Sequence, residues 1–124
     1  MLKVAVFGAK GRMGVEVCRA VEAADDLELV AALDVGDDPA LAVDADVAID
    51  FTVPDAVMGN LEWCAAQGVH AVVGTTGFTP ERLDRVRELF ADGRANAIVA
   101  SNYSIGSLLM MKFAEIAAPF FESV

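Results

Sequence analysis

The sequence predicts an α/β fold, a doubly wound parallel sheet, in one domain over residues 1–124. Three observations predict it. Short β-branched or apolar runs alternate with segments of helical period. Glycine-rich turns separate them, with no low-complexity stretch, internal repeat or interdomain linker. The length of 124 residues suits a single core, and the 56% apolar content supplies one.

The elements follow in order. Residues 3–7 (KVAVF) form a β-branched and aromatic run that stops at Gly8. Residues 11–23 have helical spacing, with Met13, Val17, Ala20 and Val21 on one face. Residues 27–33 (LELVAAL) are nearly continuous apolar sequence ending at Asp34, the pattern of a strand covered on both faces. Residues 36–39 (GDDP) signal a loop. Residues 47–52 read as a third strand. Pro54 and Asp55 open a helix that runs to Gln67 and stops at Gly68. Residues 70–73 form a fourth strand ended by Gly74. Thr79 caps a helix with Pro80 in its first turn, continuing through Leu83, Val86, Leu89 and Phe90 to residue 92. Residues 97–100 form a fifth strand. Residues 104–123 are helical again, with Pro119 at a kink position.

Charge and composition exclude several functions. Lys+Arg is 9 against Asp+Glu 19, a net charge of −10. Nucleic-acid backbones and anionic membranes need a cationic footprint, so neither is an expected partner. A dinucleotide remains compatible, because local backbone N–H groups hold a pyrophosphate whatever the global charge. No apolar run approaches the ~20 residues of a membrane span, and the first residues do not read as a signal peptide. Cys18 and Cys64 make no disulfide framework and read as reduced, inert thiols of a cytoplasmic protein. With one histidine, His70, neither a His-based metal site nor a Ser-His triad is expected.

Ligands of doubly wound sheets bind at the carboxyl ends of the strands. That places chemistry after Phe7, Leu33, Phe51, Val73 and Ala100, where Gly, Thr, Asn, Asp and Ser gather. The first such segment is Gly8-Ala9-Lys10-Gly11-Arg12-Met13-Gly14, a G-x-x-G-x-x-G variant of the commoner G-x-G-x-x-G. Gly8 permits the tight turn, Gly11 lets a helix N-terminus approach a pyrophosphate, and Gly14 allows close helix–strand packing. Such glycines often mark only a turn. Their place between a strand and a helix makes the sheet Rossmann-type. Asp34, twenty positions after Gly14, can accept hydrogen bonds from ribose hydroxyls, or simply cap its own turn. Its charge disfavours a 2′-phosphate. Lys10 and Arg12 either favour one or are a solvated surface pair, so NADH and NADPH both stay open.

Phe51 and Thr52 follow the third strand, and Gly74, Thr75 and Thr76 follow the fourth. Small and hydroxyl-bearing residues there suit a carboxamide or ribose, and equally suit ordinary loops and caps. Ala100, Ser101, Asn102 and Tyr103 follow the fifth strand, where Asn102 either orients a nicotinamide amide or caps the next helix. His70 begins its strand, at the wrong end for this crevice, and reads as structural or solvent-facing. Met110, Met111, Phe113, Ile116, Phe120 and Phe121 read as core or interface.

Taken together, GAKGRMG at 8–14, Asp34, DFTVP at 50–54, GTTGF at 74–78 and SNYSIG at 101–106 resemble dihydrodipicolinate reductase, also called 4-hydroxy-tetrahydrodipicolinate reductase, of bacterial lysine and diaminopimelate biosynthesis. Residues 57–61 and 70–78 look most like its actinobacterial branch. The resemblance covers the entire chain and implies the N-terminal nucleotide-binding domain. It implies that residues 8–13 hold the pyrophosphate and Asp34 the adenosine ribose. Phe51 and Thr52 would flank the cofactor, Gly74, Thr75 and Thr76 would line its nicotinamide half, and residues 100–103 would lie beside the ring. The implied cofactor is NADH or NADPH.

The same resemblance implies what is missing. Family members are roughly twice as long, consistent with an added domain that carries a His-His-x-x-Lys motif. No catalytic residue is therefore expected in these 124 residues, and the substrate, a small cyclic imine dicarboxylate, would bind only in a longer parent. The chain alone is expected to be inactive, and either to self-associate through the apolar 104–123 helix or to show that helix as its least stable element. A different class of reading, a non-catalytic nucleotide- or CoA-binding regulatory module, fits the glycine loop too.

Overall fold

The structure, a computed structural model, describes residues 1–121. Five strands and four α-helices alternate along them: β1 (Leu2–Phe7), α1 (Arg12–Ala23), β2 (Leu27–Leu33), β3 (Val47–Asp50), α2 (Pro54–Gln67), β4 (His70–Val73), α3 (Pro80–Leu89), β5 (Ala97–Val99) and α4 (Ile105–Ala117). Short 3-10 turns occupy Pro39–Ala42 and Ala118–Phe120. The sheet order is β2-β1-β3-β4-β5, and every pair is parallel. From β1 the chain goes to one side for β2 and to the other for β3. The chain therefore leaves β1 and β3 for helices on opposite faces of the sheet, which puts the topological switch point between these two strands.

Side chains alternate across the sheet and build two cores. On one face α1 packs Val21, Val17 and Cys18 against Val4 and Val6. On the other, α2 and α3 bring Val57, Leu61, Cys64 and Val86 onto Ala5, Phe7, Ala48, Ala71 and Val73. Leu61 is 1% exposed, and Trp63 meets Phe7 edge-on at 6.0 Å. The cover is unequal. The ladder puts Val72 and Ile98 on the α1 face, but α1 packs chiefly on β1 and β2, and Ile98 is 62% exposed.

Local chemistry sets the ends. Pro54 opens α2 and Gly68, at φ 76°, closes it in the left-handed conformation a Cβ resists. Thr79 Oγ1 accepts the Arg82 N–H at 3.2 Å to start α3, and Ser104 Oγ accepts the Ser107 N–H at 3.3 Å to start α4.

Several expectations need correction. β2 is an edge strand, half-buried along most of its length, so its continuous apolar run does not report cover on both faces. The buried stripe of α1 is Gly14, Val17, Cys18 and Val21, while Met13 and Ala20 face outward. β3 ends at Asp50 rather than at residue 52, because the Thr52 N–H turns to the Asp50 carboxylate and the Thr75 hydroxyl instead of the ladder. α3 stops at Leu89, and β5 at Val99. α4 ends at Ala117, where the chain tightens into the 3-10 turn carrying Pro119. The expected helical residues 122–123, and the end of the domain at 124, lie outside the described residues.

Candidate functional site

The carboxyl edge begins with the turn after β1. Gly8 has φ 84°, and a Cβ there would stand 2.3 Å from the Phe51 carbonyl oxygen. Two elements of the crevice thus touch through glycine backbone. A Cβ on Gly14 would stand 1.8 Å from the Gly8 carbonyl oxygen. The close approach assigned to Gly14 is therefore to the Gly8–Ala9 turn, just beyond the strand. Gly11 is the N-cap of α1, with no side-chain cap, and the amides of Arg12, Met13 and Gly14 have no hydrogen-bond partner among the described residues. They leave a donor-rich, positively polarised helix end beside a cleft lined by Lys10, Gly11, Arg12 and Met13. The Lys10 and Arg12 side chains are exposed and form no ion pair among the described residues.

Asp34 stands at the end of β2. Its Oδ2 accepts the Lys10 N–H and its Oδ1 the Val35 N–H, both at 2.8 Å. These bonds, the Val35 N–H foremost and the Lys10 N–H next, hold its carboxyl below the usual carboxylate range. Asp34 therefore organises the glycine turn and keeps lone pairs for a further donor. Asp37 Oδ2 in turn accepts the Asp34 N–H at 2.8 Å. Asp34 and Asp37 line a cleft of about 200 Å³ together with Val35, Gly36, Pro39 and Asn60, and a second cleft joins Asp34 to Gly11, Phe51 and Thr52.

The other half of the edge is walled by aromatic rings. A Cβ on Gly74 would stand 2.1 Å from Phe51 Cε1, so the space above Gly74 belongs to the Phe51 ring rather than to a ligand. Phe51 meets Tyr103 edge-on at 5.8 Å, and the Tyr103 hydroxyl donates to the Val73 carbonyl at 3.1 Å. Burial pushes the Tyr103 phenol above its ordinary value. Asn102 Oδ1 accepts the Ser104 N–H at 2.9 Å, so its carbonyl caps the turn into α4. Its amide nitrogen has no partner among the described residues. Met13, Phe51, Gly74, Ser101, Asn102 and Tyr103 line one open cleft. Thr76 and Ser101 are exposed at the same edge, where both line a neighbouring cleft, and Ala100 is half-buried, its N–H held by the Val73 carbonyl.

Thr75 departs from its expected role. It is 4% exposed, its hydroxyl donates to Asp50 Oδ1 at 2.7 Å, and it accepts the Thr52 N–H at 2.8 Å. The Thr52 hydroxyl likewise donates to Asp50 Oδ1 at 2.7 Å. Both hydroxyls donate their proton to Asp50; Thr75 is buried away from a carboxamide or ribose, while Thr52 is half-buried and still lines the clefts beside Asp34. The acid they meet, Asp50, is absent from the expected site, as is Asn60, whose amide nitrogen donates to Asp50 Oδ2 at 2.8 Å. The signal for Asp50 was an acid closing an otherwise apolar central strand, VAID, which has to be paired if buried. Burial and then the negative charge of Asp50 push the nearby Cys64 thiol up to about 12. His70 lies at the opposite edge, where its Nδ1 accepts the Asn96 N–H at 3.0 Å. Among the described residues no group of three His, Cys, Asp or Glu side chains could hold a metal, and no helix is long and apolar enough to cross a membrane.

The chain resembles known proteins along its whole length. The family described as dihydrodipicolinate reductase, N-terminus, matches residues 2–103. The 4-hydroxy-tetrahydrodipicolinate reductase of Cutibacterium acnes is 58% identical over 124 residues, covering 99% of this chain and 50% of that protein. That of Thermobifida fusca is 59% identical over 124 residues, with the same coverage. A solved dihydrodipicolinate reductase from Paenisporosarcina sp. TG-14, with dipicolinate bound, superposes with a TM-score of 0.80 at 36% identity, covering 98% of this chain and 55% of that one. The chain thus spans about half the length of the curated relatives it matches. By both measures, sequence and fold, it belongs to the dihydrodipicolinate reductase family and corresponds to that family's N-terminal region.

Proposed function

We propose that residues 1–124 are the dinucleotide-binding domain of a 4-hydroxy-tetrahydrodipicolinate reductase and bind NADH or NADPH along the carboxyl edge of the sheet. One observation carries this reading: the amides of Arg12, Met13 and Gly14 stand uncapped at a helix start beside the switch-point crevice. They fit a pyrophosphate, with Gly8, Ala9, Lys10 and Gly11 forming the turn beneath it. Asp34 would accept from the adenosine ribose, and Lys10 and Arg12 would tolerate a 2′-phosphate. Phe51, Gly74 and Tyr103 would wall the nicotinamide half, with the free Asn102 amide nitrogen, Thr76 and Ser101 at its rim. Thr52 and Thr75 would act through their backbone and through Asp50.

When bound, the reduced nicotinamide would supply the hydride for a cyclic imine dicarboxylate. The part of these residues is to bind and orient. The dicarboxylate and its proton donor would be held by the portion of the relatives that this chain does not span. The reduced thiols Cys18 and Cys64 fit a cytoplasmic setting. We also propose self-association through α4, none of whose residues is buried.

Calorimetry and nicotinamide fluorescence with the 124-residue chain are expected to show saturable binding of NADH and NADPH. Silence with both cofactors overturns the reading. Asp34→Ala is expected to weaken NADH more than NADPH, because it removes ribose acceptors and a charge opposed to the 2′-phosphate. Equal losses would remove the ribose role. The chain alone is expected to show no substrate-dependent NADH oxidation above a protein-free control.

A further inference from the structure

Asp50 closes β3 with its side chain 3% exposed, and it is one of few polar groups in the core. Four donors converge on its carboxylate. The Thr52 N–H at 3.0 Å, the Thr52 hydroxyl at 2.7 Å and the Thr75 hydroxyl at 2.7 Å reach Oδ1, and the Asn60 amide N–H reaches Oδ2 at 2.8 Å. No buried side-chain polar atom among the described residues is left without a partner. The donors come from three elements: the loop after β3, the loop after β4, and α2. A buried acid is costly unless fully paired, so this set persists only if all three hold their places together. The elements also border different halves of the crevice. Asn60 and Thr52 line the cleft shared with Asp34. Thr75 fixes the backbone between Gly74 and Thr76, on the aromatic side.

We propose that Asp50 is a positioning residue: a buried carboxylate that locks the loop after β4 to the loop after β3, so that both halves of a dinucleotide meet one rigid edge. This rests on the dinucleotide reading above. Asp50 touches no ligand itself. It acts through Thr52 and Thr75, whose hydroxyls it withdraws from solvent, and through them on Phe51 and Gly74. The links are unequal: removing the Thr75 hydroxyl unties the loop after β4 but leaves the Thr52 N–H and hydroxyl on Asp50 Oδ1, so it loosens chiefly the nicotinamide side, whereas removing the carboxylate loosens both.

The test compares NADH with ADP, which lacks the nicotinamide half, by calorimetry on the 124-residue chain, with melting followed in parallel. Thr75→Val keeps the shape and deletes the hydroxyl. It is expected to weaken NADH about tenfold and ADP less than about twofold, because it deletes the bond to Asp50 and the one from the Thr52 N–H, while that N–H keeps Asp50 Oδ1. Asp50→Ala is expected to weaken both, and Asp50→Asn to restore affinity to within about threefold of wild type, since its amide oxygen still accepts from Oδ1's partners and the Asn60 amide can turn to present its own oxygen to the new NH2. If Asp50→Ala does not fold, Thr75→Val and Asp50→Asn decide alone. Thr75→Val that leaves NADH binding unchanged, or that weakens ADP as much as NADH, overturns the proposal. Wild-type protein that binds neither cofactor instead ends the dinucleotide reading, and with it this one.

Discussion

Helix α2 has 14 residues and α4 has 13, and both are rich in apolar side chains. Their surroundings differ completely. α2 links the neighbouring strands β3 and β4 and lays Val57, Leu61, Cys64 and Ala65 on the sheet at helical spacing. α4 follows the edge strand β5, and every apolar residue along it, from Ile105 to Ile116, is exposed. It is helical for local reasons: the Ser104 cap and the Lys112–Glu115 pair at 3.2 Å. The contrast teaches that pattern and caps make a helix, while a strand on each side decides whether it is buried.

The largest effect is expected in α1, which like α2 is packed on the sheet. Gly14→Ala places a Cβ against the Gly8 carbonyl, where backbone and not a flexible side chain must move. The expected cost is about 3 kcal/mol or more, with loss of cofactor binding. Gly59→Ala, in α2 with nothing within 4 Å of the added atom, is the control. It should gain about 0.5–1 kcal/mol from helix propensity. Chemical denaturation of both variants checks the pair, and a well-folded Gly14→Ala protein that still binds NADH would show that the turn yields.

Core truncation comes next. Leu61→Ala, in α2, should cost about 3 kcal/mol in urea unfolding, because Leu61 is wholly enclosed between sheet and helix. The corresponding Leu109→Ala in α4 should change the monomer by less than about 0.5 kcal/mol. Equal losses would mean that α4 is buried in solution.

Cys64 gives the same contrast a pH signature. Its buried thiol is held up to about 12 against 9.0 for a free one, so the folded chain keeps a proton that the unfolded chain releases. Stability from this group is full below pH 9 and falls as pH rises towards about 12. A melting series across that window should show the decline, and Cys64→Ala should flatten it. An unchanged slope would assign the loss to other groups.

Most of the strands and helices were legible because glycine and proline punctuate the chain where the backbone turns: Gly8, Pro54, Gly68 and Pro80 each sit where their φ or missing N–H is needed. The carboxyl edge on which the candidate site is placed was legible from the same punctuation, since it follows from parallel topology. The hydrogen bonding was not. Thr75 and Thr52 look identical in sequence to ligand-facing hydroxyls, and only their registration on Asp50 shows that they face inward. Nor could an apolar run tell edge strand β2 from a strand covered on both sides, because the run reports composition while cover depends on which strand lies beside it.

The smallest effect on stability concerns α4 itself. Met111 and Phe113 are exposed and apolar, on a helix that touches little beyond its own 3-10 extension. Backbone amides of α4 should exchange with solvent far sooner than those of β1, whose Val4, Ala5 and Val6 are sealed in the core. In dilute protein, Met111→Ser with Phe113→Ser should leave the melting of the sheet within about 0.5 kcal/mol of wild type. At high concentration the same double variant should abolish the rise in sedimentation coefficient expected of wild type, since the net charge of −10 opposes random aggregation but not a specific apolar pairing. A wild-type chain that stays monomeric, with α4 as protected as β1, would show that this helix has found cover within its own chain, and the contrast with α2 would then dissolve.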